Sequence, residues 1–279
     1  MPGIDLQKVL SRMSYHAVYD NSILEAISFA SKNGFSGIQI AIETPHLSFE
    51  RLDDGDILKI RKASLEQKIR LSLHAADDAS LTNSCTEISN GILNYYSKLI
   101  DFAVKVGAER ITIHSGSPTL FPTDTEPREL FPKIDKAYYK EVFSRNLRKL
   151  LEMAKSKVKI CIENYGLYGF ALEVLQENLA GDLGLKLCWD LEKTYGGGNA
   201  ADMRIVDFFT KNRAYVDQVH LHSLINSKGH SVIQKGIVDF PYYFDILKDA
   251  DVQDYCIEVR PREKAVESLE NLKKILTET

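Results

Sequence analysis

Short runs rich in Val, Ile, Leu and aromatic residues alternate with longer stretches of helical periodicity from one end of the chain to the other. No other property of the sequence restricts its fold so tightly. The runs are RMSYH, SGIQIAIE, IRLSLHA, RITIHSG, VKICIEN, LKLCWD, VDQVHLHS and YCIEV. Strand followed by helix, repeated without a break in composition, predicts a parallel sheet whose crossovers are the helices. Closed on itself, this is a single α/β domain over residues 1–279, a (β/α)8 barrel. A doubly wound open sheet is the competing arrangement, but Gly196-Gly197-Gly198 has neither the GxGxxG spacing nor a helix opening on it and reads as a flexible loop.

Helix signals fill the gaps between the runs. SILEAISFASKNG has Asn21 and Ser22 as candidate caps and Asn33-Gly34 as its stop, and ISNGILNYYSKLIDFAVKVGA ends at Gly107. Further helices are expected in YKEVFSRNLRKLLEMAKS, ALEVLQENLA, ADMRIVDFFTKN, YYFDILKDA and EKAVESLENLKKIL. The one long irregular stretch, SPTLFPTDTEPRELFPKID at 117–135, follows the fourth run. In a barrel it would be a lid or binding loop on the active-site face.

Composition narrows the partners. Hydrophobic residues make up 44% and charged residues 27%, the balance of an ordinary folded chain. A net charge of −4 without a basic stripe disfavours nucleic acid. No apolar run resembles a signal peptide or approaches a membrane span, so a cytoplasmic protein without a membrane partner is expected, with room for a homo-oligomer. Cys85, Cys161, Cys188 and Cys256 are far apart and form no CxxC pair, which argues against a disulfide framework and against a zinc knuckle.

The last residues of runs two to eight carry the chemistry: Glu43, His74, His114, Glu163, Asp190, His222 and Glu258. Successive spacings of 31, 40, 49, 27, 32 and 36 residues follow the length of a strand–helix unit. All these positions fall at C-terminal strand ends, where a barrel builds its active site. Carboxylates converging there repel one another unless a cation joins them, so a divalent metal is expected. Residues two places earlier are Ala41, Ser72, Thr112, Cys161, Cys188, His220 and Cys256, the small and weakly polar filling of a deeper layer. His220 is accordingly expected to be structural and the cysteines to pack as small hydrophobes. Arg260, two residues beyond Glu258, points toward the same mouth as a candidate for binding phosphate or carboxylate, with Lys193, Tyr15 and Tyr19 as further candidates.

Taken together, LHA at 73–75, IHSG at 113–116, IEN at 162–164, the aspartate of CWDLEK, HLHS followed by GHSVIQKGIVDF, and IEVRP at 257–261 resemble the xylose isomerase-like TIM barrels. That superfamily comprises sugar isomerases and epimerases together with the endonuclease IV group of apurinic-site endonucleases. The sugar-epimerase branch implies one metal ion, Mn2+, Mg2+, Co2+ or Zn2+, held by Glu163, Asp190, His222 and Glu258. The endonuclease branch implies further ions through His74, His114 and His230, and a second ion near His74 and His114 is compatible with either. Lys193 and Lys228 stand where that branch has a histidine and an aspartate, which argues against a third ion and against phosphodiester cleavage.

The implied activity is isomerisation or epimerisation of a small sugar or sugar derivative by proton transfer through a metal-stabilised enediolate. Glu163 and Glu258 exchange the proton, and His74 or His114 steadies the oxyanion. Glu43, Lys193, Arg260 and His230 contact the substrate. An apurinic endonuclease and a non-catalytic sugar-binding barrel are the alternatives.

Overall fold

The computed structural model describes residues 5–118, 136–167, 169–196 and 198–278. Its centre is a closed barrel of eight parallel strands: β1 (Met13–Ala17), β2 (Gly37–Ala41), β3 (Arg70–His74), β4 (Arg110–Ile113), β5 (Lys159–Glu163), β6 (Lys186–Asp190), β7 (Val216–Leu221) and β10 (Asp254–Ile257). β10 pairs with both β7 and β1, so no barrel edge is left open. Each expected strand run overlaps one of these strands, β1 and β10 each extending one residue past theirs, and the single (β/α)8 TIM barrel expected from the alternation is the fold observed.

Strand alternation divides the side chains into two environments. Ile38, Ile40, Leu71, Leu73, Ile111, Ile113, Ile160, Ile162, Leu187, Trp189, Val219, Leu221 and Ile257 form the apolar layer beneath the helices, all of them buried. The barrel interior is instead polar: Gln39, Ser72, Thr112, Gln218 and His220 are fully or almost fully buried, beside Cys161, Cys188 and Cys256.

The surrounding helices start and stop where their caps dictate. Ser22 accepts a hydrogen bond from the Glu25 N–H at the start of α2 (Ile23–Lys32), and Gly107 closes α4 (Thr86–Val106) in the left-handed region. Two helices escaped the sequence patterns. One is α1 (Leu6–Leu10), a short turn before the barrel; the other is α3 (Asp54–Gln67), which Asp53 caps. Only Ile57 and Ile60 of α3 are buried, so it has no broad apolar stripe to detect. The remaining helices, α5 (Lys136–Ala154), α6 (Gly169–Leu179), α7 (Met203–Lys211), α8 (Phe240–Leu247) and α9 (Arg262–Thr277), fall on the expected stretches. From residue 119 onward the proline-rich segment lies outside the described residues, as does Gly197. No helix among the described residues is long and apolar enough to cross a membrane.

A further element follows β7. Strands β8 (Ser223–Ile225) and β9 (Lys228–Ser231) form an antiparallel hairpin through Asn226 and Ser227, both at positive φ, as a two-residue turn of the primed type demands. The hairpin turns the chain back so that His230 returns to the barrel mouth.

At the opposite end the barrel is closed by charge. Arg110, 1% exposed, donates from Nε to Asp217 Oδ2 at 2.8 Å and lies 3.8 Å from Asp254. Lys159 reaches the other Asp217 oxygen at 2.7 Å. Removing one partner of such a cluster strands a buried charge, so Asp217→Ala is expected to cost about 3–5 kcal/mol. The double change Arg110→Met with Asp217→Leu is expected to cost less than that single one. Urea denaturation followed by fluorescence of Trp189, the single tryptophan, measures both; a loss under about 1 kcal/mol for Asp217→Ala would show that the cluster behaves as a surface pair.

Candidate active site

Strand direction and pleat bring the acids and imidazoles to one end. β5 and β6 end on Glu163 and Asp190, while His114, His222 and Glu258 each follow the final residue of their strand. Asn164 fixes the end of β6 by accepting from the Asp190 N–H at 2.7 Å and donating to the Asp190 carbonyl at 2.9 Å. Glu163, Asp190, His222 and Glu258 are all buried, at 3% exposure or less.

The two glutamates meet around His220. Its Nδ1 lies 3.2 Å from Glu163 Oε2 and 3.5 Å from Glu258 Oε1. Glu163 Oε2 is also 3.5 Å from His74 Nε2 and 3.4 Å from His114 Nε2, and Glu258 Oε1 is 3.0 Å from His16 Nδ1. Burial pushes both carboxyls up, but the facing imidazoles outweigh it: His114 and His220 hold Glu163 well below the usual range, and His220 with His16 does so for Glu258. Burial alone would lower His220, yet Glu258 and Glu163 drive it up to about 9. For His16 burial prevails over Glu258 and brings it down to about 4, so the close contact joins a neutral ring to a carboxylate.

Asp190 Oδ2 faces His222 Nε2 at 3.0 Å, and its Oδ1 accepts from the Lys193 N–H at 3.0 Å. Burial raises Asp190 but His222 lowers it further. The β8–β9 hairpin then covers His222: the His230 N–H donates to His222 Nδ1 at 2.9 Å, and the rings stack with centroids 4.3 Å apart. His230 adopts a positive φ of 51°, a strained conformation for a non-glycine residue. A Cβ at the neighbouring Gly229 would lie 3.0 Å from Glu192 Oε2, so a side chain there would require the Glu192 carboxylate to shift.

The barrel mouth opens into one cavity of about 260 Å³, and Asp190, His220 and His222 lie buried behind its wall. Glu163, Glu258, His74 and His114 form part of its wall, with Lys193, Arg260, His230 and Glu43 around them. Glu43 is exposed at the rim, where its Oε2 accepts from the Asp77 N–H at 3.1 Å.

The donor set fits a divalent cation. Glu163 Oε2 and Glu258 Oε1 are shut off from solvent and accept no well-aligned hydrogen bond among the described residues. Overlapping groups of ligand atoms within 4.8 Å of one another lie at and behind the mouth: Glu163 with Cys188 and His220, Asp190 with His220 and Glu258, Asp190 with Glu192 and His222, and His222 with His230 and Glu258; Glu163 shares no group with the other three carboxylate and histidine candidates. Because His230 occupies Nδ1 of His222, Nε2 is the nitrogen left for an ion. A separate group, His74, Asp77 and His114, matches the expected location of a second ion.

Several residues of the mouth were not anticipated. His220, which its depth in the strand marks as structural, is fully buried and off the cavity wall, yet its Nδ1 lies within 3.5 Å of both glutamates. His16 ends the first strand run and follows the same strand-end rule as the others, so its signal was present. Asp77, 3.3 Å from His114, and Tyr165, whose ring lies 4.7 Å from that of His114, come from loops that no periodicity marks. Tyr15 faces away from the mouth, packing on Phe29 and Phe35 and donating to Asp20, because it alternates with the inward Ser14 and His16. Tyr19 lines the cavity and is 72% exposed.

Solved structures share this fold along nearly the whole chain. A D-tagatose 3-epimerase-like protein aligns with TM-score 0.72 and 19% identity, over 95% of this chain and 97% of the other. The 3-keto-D-glucoside 4-epimerase of E. coli aligns with TM-score 0.70 and 18% identity, over 95% and 99%. Endonuclease IV from Thermus thermophilus aligns with TM-score 0.71 and 20% identity, over 96% and 100%. No curated protein matches the sequence. The family described as xylose isomerase-like TIM barrel matches residues 27–275. The chain therefore belongs to the xylose isomerase-like TIM barrel family.

Proposed function

We propose that the protein is a divalent-metal-dependent isomerase or epimerase of a small sugar or sugar derivative. The observation that carries this reading is the pair Glu163 and Glu258: two buried carboxylates from separate strands that reach one imidazole and line one small cavity. Glu163, Asp190, His222 and Glu258 would hold the ion. When bound, it would supply Lewis acidity to the adjacent carbonyl and hydroxyl oxygens of a sugar, acidifying the neighbouring C–H.

The protein's own groups supply the rest. One of Glu163 and Glu258 removes the proton next to the carbonyl, and the other returns one to the opposite face or the adjacent carbon. His220, fixed by the Gln39 amide 3.1 Å from its Nε2, keeps the two carboxylates aimed at a common point. His74 and His114 border both Glu163 and the cavity, where a ring N–H can donate to the developing oxyanion. The likeness to a D-tagatose 3-epimerase-like protein and to a 3-keto-D-glucoside 4-epimerase supports this assignment, while the similar likeness to endonuclease IV keeps an apurinic endonuclease as the second reading. The group His74, Asp77 and His114 offers another ion site, which is compatible with either reading. Lys193, with its Nζ 3.2 Å from His230, and the exposed Lys228 argue against the endonuclease, since both put cations where that branch has ligands.

In D2O, the Mn2+-loaded protein is expected to exchange a carbon-bound proton of its sugar substrate for deuterium, read by NMR across a panel of ketoses and keto-acids. Glu163→Gln and Glu258→Gln should each slow exchange by about 10²-fold or more; unchanged exchange in either would remove the mechanism. Mn2+ is also expected to raise the thermal midpoint, adding about 2.7 kcal/mol of stability at a hundredfold excess over its dissociation constant. Asp190→Ala and His222→Ala should abolish that rise in differential scanning calorimetry, and a rise retained in both would place the ion elsewhere.

A further inference from the structure

The cations of the mouth call for a different explanation from its acids. Arg260 lines the cavity yet forms no ion pair with a carboxylate among the described residues. Its Nη2 lies 2.9 Å from His16 Nδ1, but that nitrogen is also 3.0 Å from Glu258 Oε1. With a lone pair, Nδ1 accepts from Arg260 and cannot donate to Glu258; with a proton, the reverse holds. One of these contacts is therefore always unmet, and the Arg260 Nε–H is buried without an acceptor. A permanently charged guanidinium partly removed from water, with an unfilled fork of donors, suits a planar or tetrahedral oxyanion.

Lys193 lines the same cavity with its side chain 21% exposed. Its Nζ is 3.2 Å from His230 Nε2, and the carboxylate it approaches, Glu192, is 3.7 Å away. His230 in turn contacts the Glu258 carbonyl at 3.0 Å, two residues before Arg260. The two cations thus belong to one rim, reached through a single histidine.

We propose that the substrate is an anionic monosaccharide, whose carboxylate or phosphate is held by Arg260 and Lys193 while its carbonyl and hydroxyl end faces Glu163 and Glu258. This rests on the isomerase reading and adds the substrate class to it. A neutral sugar would leave the Arg260 fork without an anion, and sites with buried polar groups discriminate strongly against ligands that cannot pair them. The cavity of about 260 Å³ is small for a ligand pocket and suits a single sugar unit. Glu43 and Asp77 on the same wall oppose a polyanion such as DNA.

The test is calorimetric titration of the full chain loaded with Mn2+, using D-fructose, D-fructose 6-phosphate, 2-keto-D-gluconate and a short duplex carrying an abasic-site analogue. One of the two anionic sugars should bind at least about tenfold more tightly than D-fructose, as expected for hydrogen bonds to charged groups; which one does so distinguishes phosphate from carboxylate. Arg260→Met and Lys193→Met should each reduce that preference several-fold, and Arg260→Lys, which keeps the charge without the fork, should fall between Arg260→Met and the native protein. Circular dichroism and Mn2+ affinity establish that each variant is folded. Equal binding of D-fructose and both anionic sugars would overturn the proposal, as would tightest binding of the duplex or an undiminished preference in both methionine variants. Anionic preference without deuterium exchange on the preferred sugar would sustain the binding inference and defeat the isomerase reading; exchange on D-fructose without that preference would do the opposite.

Discussion

Glu163 and Glu258 would drive each other apart if nothing lay between them, and the interior of the barrel is organised around preventing that. His220 occupies the position between them, within hydrogen-bonding or ion-pair distance of both. It is supported from below by Gln39, which donates to Thr112 at 2.9 Å, while Thr112 contacts Gln218, and Gln218 donates to Asp254 at 2.7 Å. Asp254 lies against Arg110 in the charged cluster that closes the far end. A polar column thus runs along the axis where most barrels carry branched aliphatic side chains. Its hydrogen bonds satisfy the buried groups that an aliphatic filling would not contain, and they fix His220 beneath the two acids.

The same arrangement separates the roles of the three histidines in VHLHSLINSKGH. His220 faces the axis, His222 faces Asp190, and His230 comes back over His222 through the turn at Asn226 and Ser227. Their closeness in sequence is incidental to two of these contacts, since Glu163 and Asp190 arrive from strands β5 and β6. Only the stacking of His230 on His222 is local, and it closes one side of the mouth.

Much of this was legible in the residues because a parallel barrel repeats one rule at every strand: the C-terminal end faces the site. The rule gives seven strand-end residues, from which the family resemblance picks Glu163, Asp190, His222 and Glu258; Glu163 and Glu258 line the cavity, while Asp190 and His222 are buried behind it. The rule did not extend to contacts at depth. His220, two residues earlier on its strand, stays off the cavity wall as its depth implies, but strand alternation does not reveal that its Nδ1 comes within 3.5 Å of both glutamates. Nor does periodicity mark side chains contributed by loops, such as Asp77 and Tyr165, or a helix such as α3 that buries little more than Ile57 and Ile60. The β8–β9 hairpin was hidden for a related reason: its turn uses Asn226-Ser227 in place of the Asn-Gly pair that signals such turns most strongly.

Family membership and fold leave two chemistries open, because sugar epimerases and endonuclease IV share this barrel with nearly equal likeness. What separates them is how many cations the mouth holds and which side chains hold them. Anomalous diffraction from crystals grown with Mn2+ measures this directly. The account predicts a single strong peak bonded to Glu163, Asp190, His222 and Glu258; an empty mouth, or an ion held only by His74, Asp77 and His114, would contradict it.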